Sequence, residues 1–107
     1  MGYASGLIKL KPGSEEKAEE WRSTIASRLD EAAATLKDED VQVESWFTTE
    51  IGGEKYLLWY MRAGSIKRVF EVSQQLKHPI DKFRYEIMAA ITETHIFAKP
   101  LVDMPRG

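Results

Sequence analysis

The run Lys55-Tyr56-Leu57-Leu58-Trp59-Tyr60-Met61-Arg62 decides the fold. Every residue from Tyr56 to Met61 is apolar or aromatic, and the run lies between Gly52-Gly53 and Gly64-Ser65. Aromatic-rich runs of this length between turn residues form strands. Side chains of a strand point alternately to two faces, so a sheet with one wet side shows alternating polarity. The absence of alternation here predicts that both faces of this strand are covered.

Upstream, Ile51-Gly52-Gly53-Glu54 supplies the positive φ that tight hairpin loops need, so a strand over Val41 to Glu50 pairs with the one over Lys55 to Arg62. Residues 3–10 read as a first strand that ends at the turn Lys11-Pro12-Gly13. Between them, Ala18, Trp21, Ile25, Leu29, Ala32 and Leu36 recur at helical spacing, which predicts one long helix over 14–37. Ser14 is placed to accept from its first amides, and Glu15 and Glu16 suit the positive end of its dipole. Glu19, Arg22, Arg28, Asp30, Glu31 and Lys37 form its solvated side. Downstream, Ser65 caps a helix with Ile66, Val69, Phe70, Ser73 and Leu76 inward, and His78-Pro79 ends it. Pro79 opens another helix with Ile80, Phe83, Ile87 and Ile91 on one face, and Thr94 to about Val102 is the last strand. The prediction is a single α+β domain over 1–107 of order βαββαβ, with a four-stranded antiparallel sheet and helices on one side.

Helices cover only one face in that topology, so the economical cover for the other is a second copy under a two-fold axis. Solvated tyrosines or a ligand pocket on that face are the alternatives. If Leu57, Trp59 and Met61 face the helices, period-two counting sends Ile8, Leu10, Val43, Phe47, Ile96 and Ala98 with them. The opposite face then carries Leu7, Lys9, Glu44, Trp46, Tyr56, Leu58, Tyr60, Arg62, His95, Phe97 and Lys99. A buried Glu44 there needs Lys9, Arg62 or Lys99 as a partner.

Hydrophobic residues at 43% and charged residues at 30% place the chain among globular proteins rather than disordered ones. Fifteen basic and 17 acidic side chains give a net charge of −2, which supplies no field to gather nucleic acid or a membrane surface. The strand order is shared with RNA-recognition modules, but Lys55 to Tyr60 lacks the glycines of their signature. With no cysteine there is no disulfide, thiolate nucleophile or iron–sulfur ligation, and a reducing cytoplasm is the expected location. The start, Met1-Gly2-Tyr3-Ala4-Ser5-Gly6, has neither a basic nor a long apolar targeting segment. His78 and His95 do not form a metal-ligand pair, so neither metal nor cofactor is expected.

Leu10-Lys11-Pro12-Gly13-Ser14-Glu15-Glu16, Val43-Glu44-Ser45, Tyr60-Met61-Arg62-Ala63 and His78-Pro79-Ile80-Asp81 resemble a family of small bacterial proteins of unknown function. That family resembles the dimeric α+β barrel group, which has a ferredoxin-like fold and includes antibiotic-biosynthesis-type monooxygenases and haem-degrading enzymes. The resemblance implies a homodimer that binds a small apolar or aromatic molecule. It also implies an alternative, a cofactor-free monooxygenase or isomerase with a pocket between sheet and helices. The haem-degrading members combine an Asn, a Trp and an axial His, whereas this chain has no Asn at all.

His78 precedes a helix N-terminus and Asp81 lies three residues on, so a catalytic pair is one reading. The other is a local cap, with Asp81 accepting from the His78 backbone N–H and Pro79 in the first helical position. Glu44, Trp59, Tyr60, Arg62 and Tyr85 are the candidate ligand-binding neighbours. Which of them share a cavity with His78 is left open by the spacing.

Overall fold

Gly52 and Gly53 sit at φ of 58° and 82°, and the pair turns the chain between two antiparallel strands. The computed structural model describes residues 2–104. In chain order its elements are β1 (Gly2–Leu10), α1 (Glu15–Ser27), α2 (Leu29–Asp38), β2 (Val41–Ile51), β3 (Glu54–Ala63), α3 (Ile66–Ser73), α4 (Pro79–Ile91) and β4 (Thr92–Phe97). The strands form one antiparallel sheet in the order β2-β3-β1-β4. This is the expected α+β order, with a pair of helices at each helical position.

Along β3, Leu57, Trp59, Met61 and Ala63 are buried, while Tyr56, Leu58, Tyr60 and Arg62 between them are half-buried. The buried set packs with Ile8, Leu10, Trp21, Val69, Ile87 and Ile91 to form the core between sheet and helices. The expected parity of the two central strands therefore holds, but that of both edge strands is reversed. Residues directly opposite in a ladder share a face. Glu44 lies opposite Met61 and Trp46 opposite Trp59, so both face the helices; Val43 and Phe47, opposite Arg62 and Leu58, face away. The cause is a bulge between Val41 and Val43, where one extra residue inverts every later side chain of β2. In β4, His95 lies opposite Ile8 and Phe97 opposite Gly6, so these two face the helices and Ile96 faces away. A register shift between Lys9 and Leu10 accompanies that inversion.

Three further expectations are corrected. The long helix is two, because Arg28 leaves helical geometry (φ −126°, ψ 39°). The break resets the helical phase, which leaves Leu29 62% exposed and buries Thr35 to 1%. Thr35 is satisfied there by donating to the Ala32 carbonyl at 2.7 Å. Ser14 caps nothing with its hydroxyl, which donates back to the Lys11 carbonyl at 2.7 Å. The last strand ends at Phe97 rather than near Val102. Ala98 adds one bond to the Ser5 carbonyl, and Pro100, with no N–H, cannot extend the ladder.

The corrected register gives the helix-free face a definite pattern. Phe47, Leu58, Leu7 and Ile96 are successive partners across all four strands and form an apolar belt. On one side lies the row Thr49, Tyr56, Lys9 and Thr94, and on the other Ser45, Tyr60 and Ser5. At the belt's two ends Phe47 and Ile96 are 54% and 51% exposed.

On the other face, Trp59 lies across Gly6. A Cβ on Gly6 would stand 2.7 Å from the Trp59 Nε1 and 3.0 Å from the Ile96 carbonyl oxygen. Gly6→Ala is therefore expected to destabilise the fold by about 1–3 kcal/mol, because neither the buried indole nor the ladder can shift freely. Urea denaturation checks this, and an unchanged midpoint would contradict it.

Candidate functional site

The end of α2 carries the acidic run Asp38-Glu39-Asp40, and its members meet different surroundings. Glu39 is the C-cap of α2, its N–H held by the Thr35 carbonyl at 3.1 Å. The residue is only 8% exposed and lies beside Asp81 of α4. Among the described residues no side chain hydrogen-bonds its carboxyl. Burial, reinforced by the nearby Glu44 carboxylate, pushes the carboxyl up to about 7; the Arg84 guanidinium opposes the shift, and Asp81 and Asp38 add to it.

Glu44 itself is paired. Arg84 Nη2 donates to its Oε2 at 2.6 Å, and Trp46 Nε1 donates to the same oxygen at 3.1 Å. With side chains 13% and 20% exposed, Glu44 and Arg84 form a partly desolvated ion pair that joins β2 to α4. Its existence follows from the bulge, which turns Glu44 inward toward α4.

Glu39, Glu44, Asp81 and Arg84 form the polar side of a cleft of about 450 Å³ between β3, α3 and α4. The remaining wall is mainly apolar, with Met61, Val69, Phe70, Leu76 and Met88, and Tyr85 stands at the mouth, 66% exposed. A second cleft of about 260 Å³ under α1 and α2 reaches the Glu44–Arg84 pair from its other side. A largely apolar cleft, open to solvent, with a few convergent polar groups and a perturbed carboxyl is a candidate small-molecule site. Chemically, Glu39 can hold or release a proton near neutrality, and Arg84 fixes the position of Glu44.

The other candidate residues are dispersed. Of the expected ligand-binding set, Glu44 and Tyr85 line the cleft. Trp59 is buried in the core, where its Nε1 donates to His95 Nε2 at 2.9 Å. That bond requires His95 to be unprotonated at Nε2, in keeping with the downward push of burial on its pKa. Tyr60 and Arg62 lie on the opposite face, where Arg62 donates to the Tyr60 hydroxyl and holds Asp103 through two bonds of 2.7 and 3.0 Å. Glu44 meets none of its expected partners Lys9, Arg62 or Lys99; Lys9 pairs with Glu93 at 3.1 Å instead.

The expected catalytic pair is likewise separated. Asp81 accepts from the His78 backbone N–H at 3.2 Å, which is the capping alternative, and it does not orient the ring. Asp38 does so, with its Oδ2 2.6 Å from His78 Nε2. The contact raises the His78 pKa and lowers that of Asp38. His78 borders a small crevice of about 10 Å³ rather than the cleft. No group of three or more His, Asp or Glu side chains among the described residues is arranged to hold a metal ion. No helix among them is long and apolar enough to cross a membrane.

Glu39 was not among the residues singled out in the sequence. The signal for it was one more helical step: the spacing Ala32, Leu36 continues to Glu39 on the same face.

A family described as of unknown function, DUF6176, matches residues 1–106. No curated protein matches the chain in sequence. Among solved structures, an L-rhamnose mutarotase from Formosa agariphila superposes with a TM-score of 0.61 at 18% identity, covering 98% of this chain and all of that one. An uncharacterized NIPSNAP domain protein from Burkholderia xenovorans gives 0.58 at 12% identity over 96% and 97% of the two chains. Protein Atu4242 from Agrobacterium tumefaciens gives 0.58 at 17% identity over 94% of each. At these identities the likeness establishes a shared ferredoxin-like α+β fold.

The raised carboxyl has a direct thermodynamic consequence. Between the ordinary 4.5 and about 7, folded Glu39 keeps a proton that the unfolded chain releases, so its contribution to stability falls as pH rises through that window and levels off above it. Glu39→Gln removes that fall. The variant is expected to melt with wild type at about pH 4 and roughly 4 °C or more above it at about pH 8. Calorimetry at the two pH values measures the gap; an equal offset at both would show that Glu39 titrates normally.

Proposed function

Because the chain belongs to the DUF6176 family of unknown function, we propose a function from its geometry: a homodimer that binds a small apolar-bodied molecule in the cleft between sheet and helices. The observation that carries the binding reading is the cleft of about 450 Å³ with Met61, Val69, Phe70 and Met88 in its wall and, on its polar side, Glu39, a residue 8% exposed whose carboxyl no side chain among the described residues hydrogen-bonds. Apolar walls fit an apolar body, and one unpaired polar group fixes the orientation of whatever polar group the body carries. Pairing is supported by the belt Phe47-Leu58-Leu7-Ile96 with its more polar flanking rows, the apolar-centre, polar-rim layout of subunit interfaces. A cysteine-free chain suits a reducing cytoplasm.

A second reading, an isomerase that moves a proton on its ligand, draws on one observation. A carboxyl poised near 7 is matched to general acid–base work at neutral pH. The mutarotase among the structural neighbours bears a name consistent with such chemistry. The apolar cleft wall fits a sugar less well than an aryl or alkyl body.

Two measurements test the proposal. In sedimentation at micromolar concentration wild type is expected to be a dimer and Phe47→Asp a monomer of unchanged fold, since Phe47 is half-exposed in the single chain. A monomeric wild type would end the dimer reading. With 2-phenylethanol as probe, the methyl NMR signals of Met61 and Met88 are expected to shift while that of Met104 on the tail stays still. Unmoved Met61 and Met88 signals at millimolar probe would end the cleft reading.

A further inference from the structure

The charges on the cleft's polar side are unbalanced. Glu39, Glu44 and Asp81 face one cation, Arg84, and that cation is already engaged by Glu44 at 2.6 Å. The groups around Glu39 come from every element packed on it. Asp38 belongs to its own helix, and its carboxylate is engaged by His78 at 2.6 Å. Glu44 comes from β2, and Asp81 and Arg84 come from α4. Lys77 and His78 border the small crevice that Glu39, Asp38 and Asp81 also line, and neither lines the cleft. Asp81 is occupied as a cap by the His78 N–H. Glu39 alone is more than nine-tenths buried and lines the cleft without a donor.

From this arrangement we infer that the cleft takes a small primary amine with an aryl or alkyl body, its ammonium on the Glu39 carboxylate and its body against Met61, Phe70 and Met88. The inference rests on the cleft being the binding site. An anionic ligand would bring a further negative charge against the Glu44 and Asp81 carboxylates, and against Glu39 where it is ionised, with no free cation in the cleft lining to receive it, in surroundings where such repulsion is weakly screened. A hydroxyl would give Glu39 one hydrogen bond and no charge compensation. An ammonium gives both, and charge-assisted bonds of this kind are about twice as strong as neutral ones. A metal ion, the other cationic candidate, lacks a set of ligating side chains among the described residues.

Binding an ammonium favours the ionised carboxyl, so the proton that Glu39 holds near neutrality must leave to solvent. With a carboxyl at about 7, up to about half a proton is released per amine bound at neutral pH.

Titration calorimetry with three isosteric probes, 2-phenylethylamine, 2-phenylethanol and phenylacetate, tests the inference at neutral pH in two buffers of different ionisation enthalpy. The amine is expected to bind at least about tenfold more tightly than either of the others. Its heat should depend on the buffer in the sense of proton release. In Glu39→Gln the preference for amine over alcohol should collapse to about twofold or less. Phenylacetate or the alcohol binding as tightly as the amine, or a preference that survives Glu39→Gln, would overturn the amine assignment and leave the cleft reading intact. Failure of all three probes to bind, with Met61 and Met88 methyl signals unmoved, would overturn the cleft reading together with it.

Discussion

The position of Trp59 over Gly6 fixes the rest of the sheet. The indole needs the space of a missing Cβ to cross β1, and its Nε1 then reaches His95 on β4. One side chain thereby ties three strands together on the core face, with Phe97 edge-on at 6.2 Å. A one-residue slip of β1 against β3 would put a side chain under the indole and turn every residue of β1 to the wrong face. With that register set, alternation on β3 follows, as does the core of Leu57, Trp59, Met61 and Ala63 against the helices.

The same register decides what the two sides of the sheet can do. On the helix-free side it lines up Phe47, Leu58, Leu7 and Ile96 into a belt, where a looser pairing would scatter them. On the helix side, the bulge at the start of β2 turns Glu44 inward to Arg84. Burial of Glu39 makes its carboxylate costly to ionise, and the Glu44 carboxylate at that place adds to the cost, so Glu39 holds its proton to about 7. Backbone geometry at the start of β2 thus contributes to the protonation of a residue at the end of the helix that precedes it.

The element order and the hairpin were legible because each depends on short-range chemistry. Gly52-Gly53 turns, Ser65 accepts from the Arg68 N–H, and Pro79 opens α4 with Asp81 closing its cap, all within a few residues of chain. The helix break at Arg28 was not legible. Nothing in Ser27-Arg28-Leu29 is a strong breaker, and the helical spacing runs on through it. Of the candidate site, Glu44 and Tyr85 were named in advance and share the cleft, whereas Trp59, Tyr60, Arg62 and His78 have other surroundings.

The sequence by itself determined the fold class and the lack of polar alternation along β3, since both follow from local propensity and from the composition of one strand. Tertiary structure alone decided which way the edge strands face, because a single bulged residue inverts a period-two pattern while leaving its composition untouched. It alone decided that the pKa of Glu39 is pushed upward while that of Asp38, its neighbour in the same acidic run, is pushed downward. A carboxyl's proton affinity depends on its distance to water and to charges from other elements, and those distances exist only once the chain has folded.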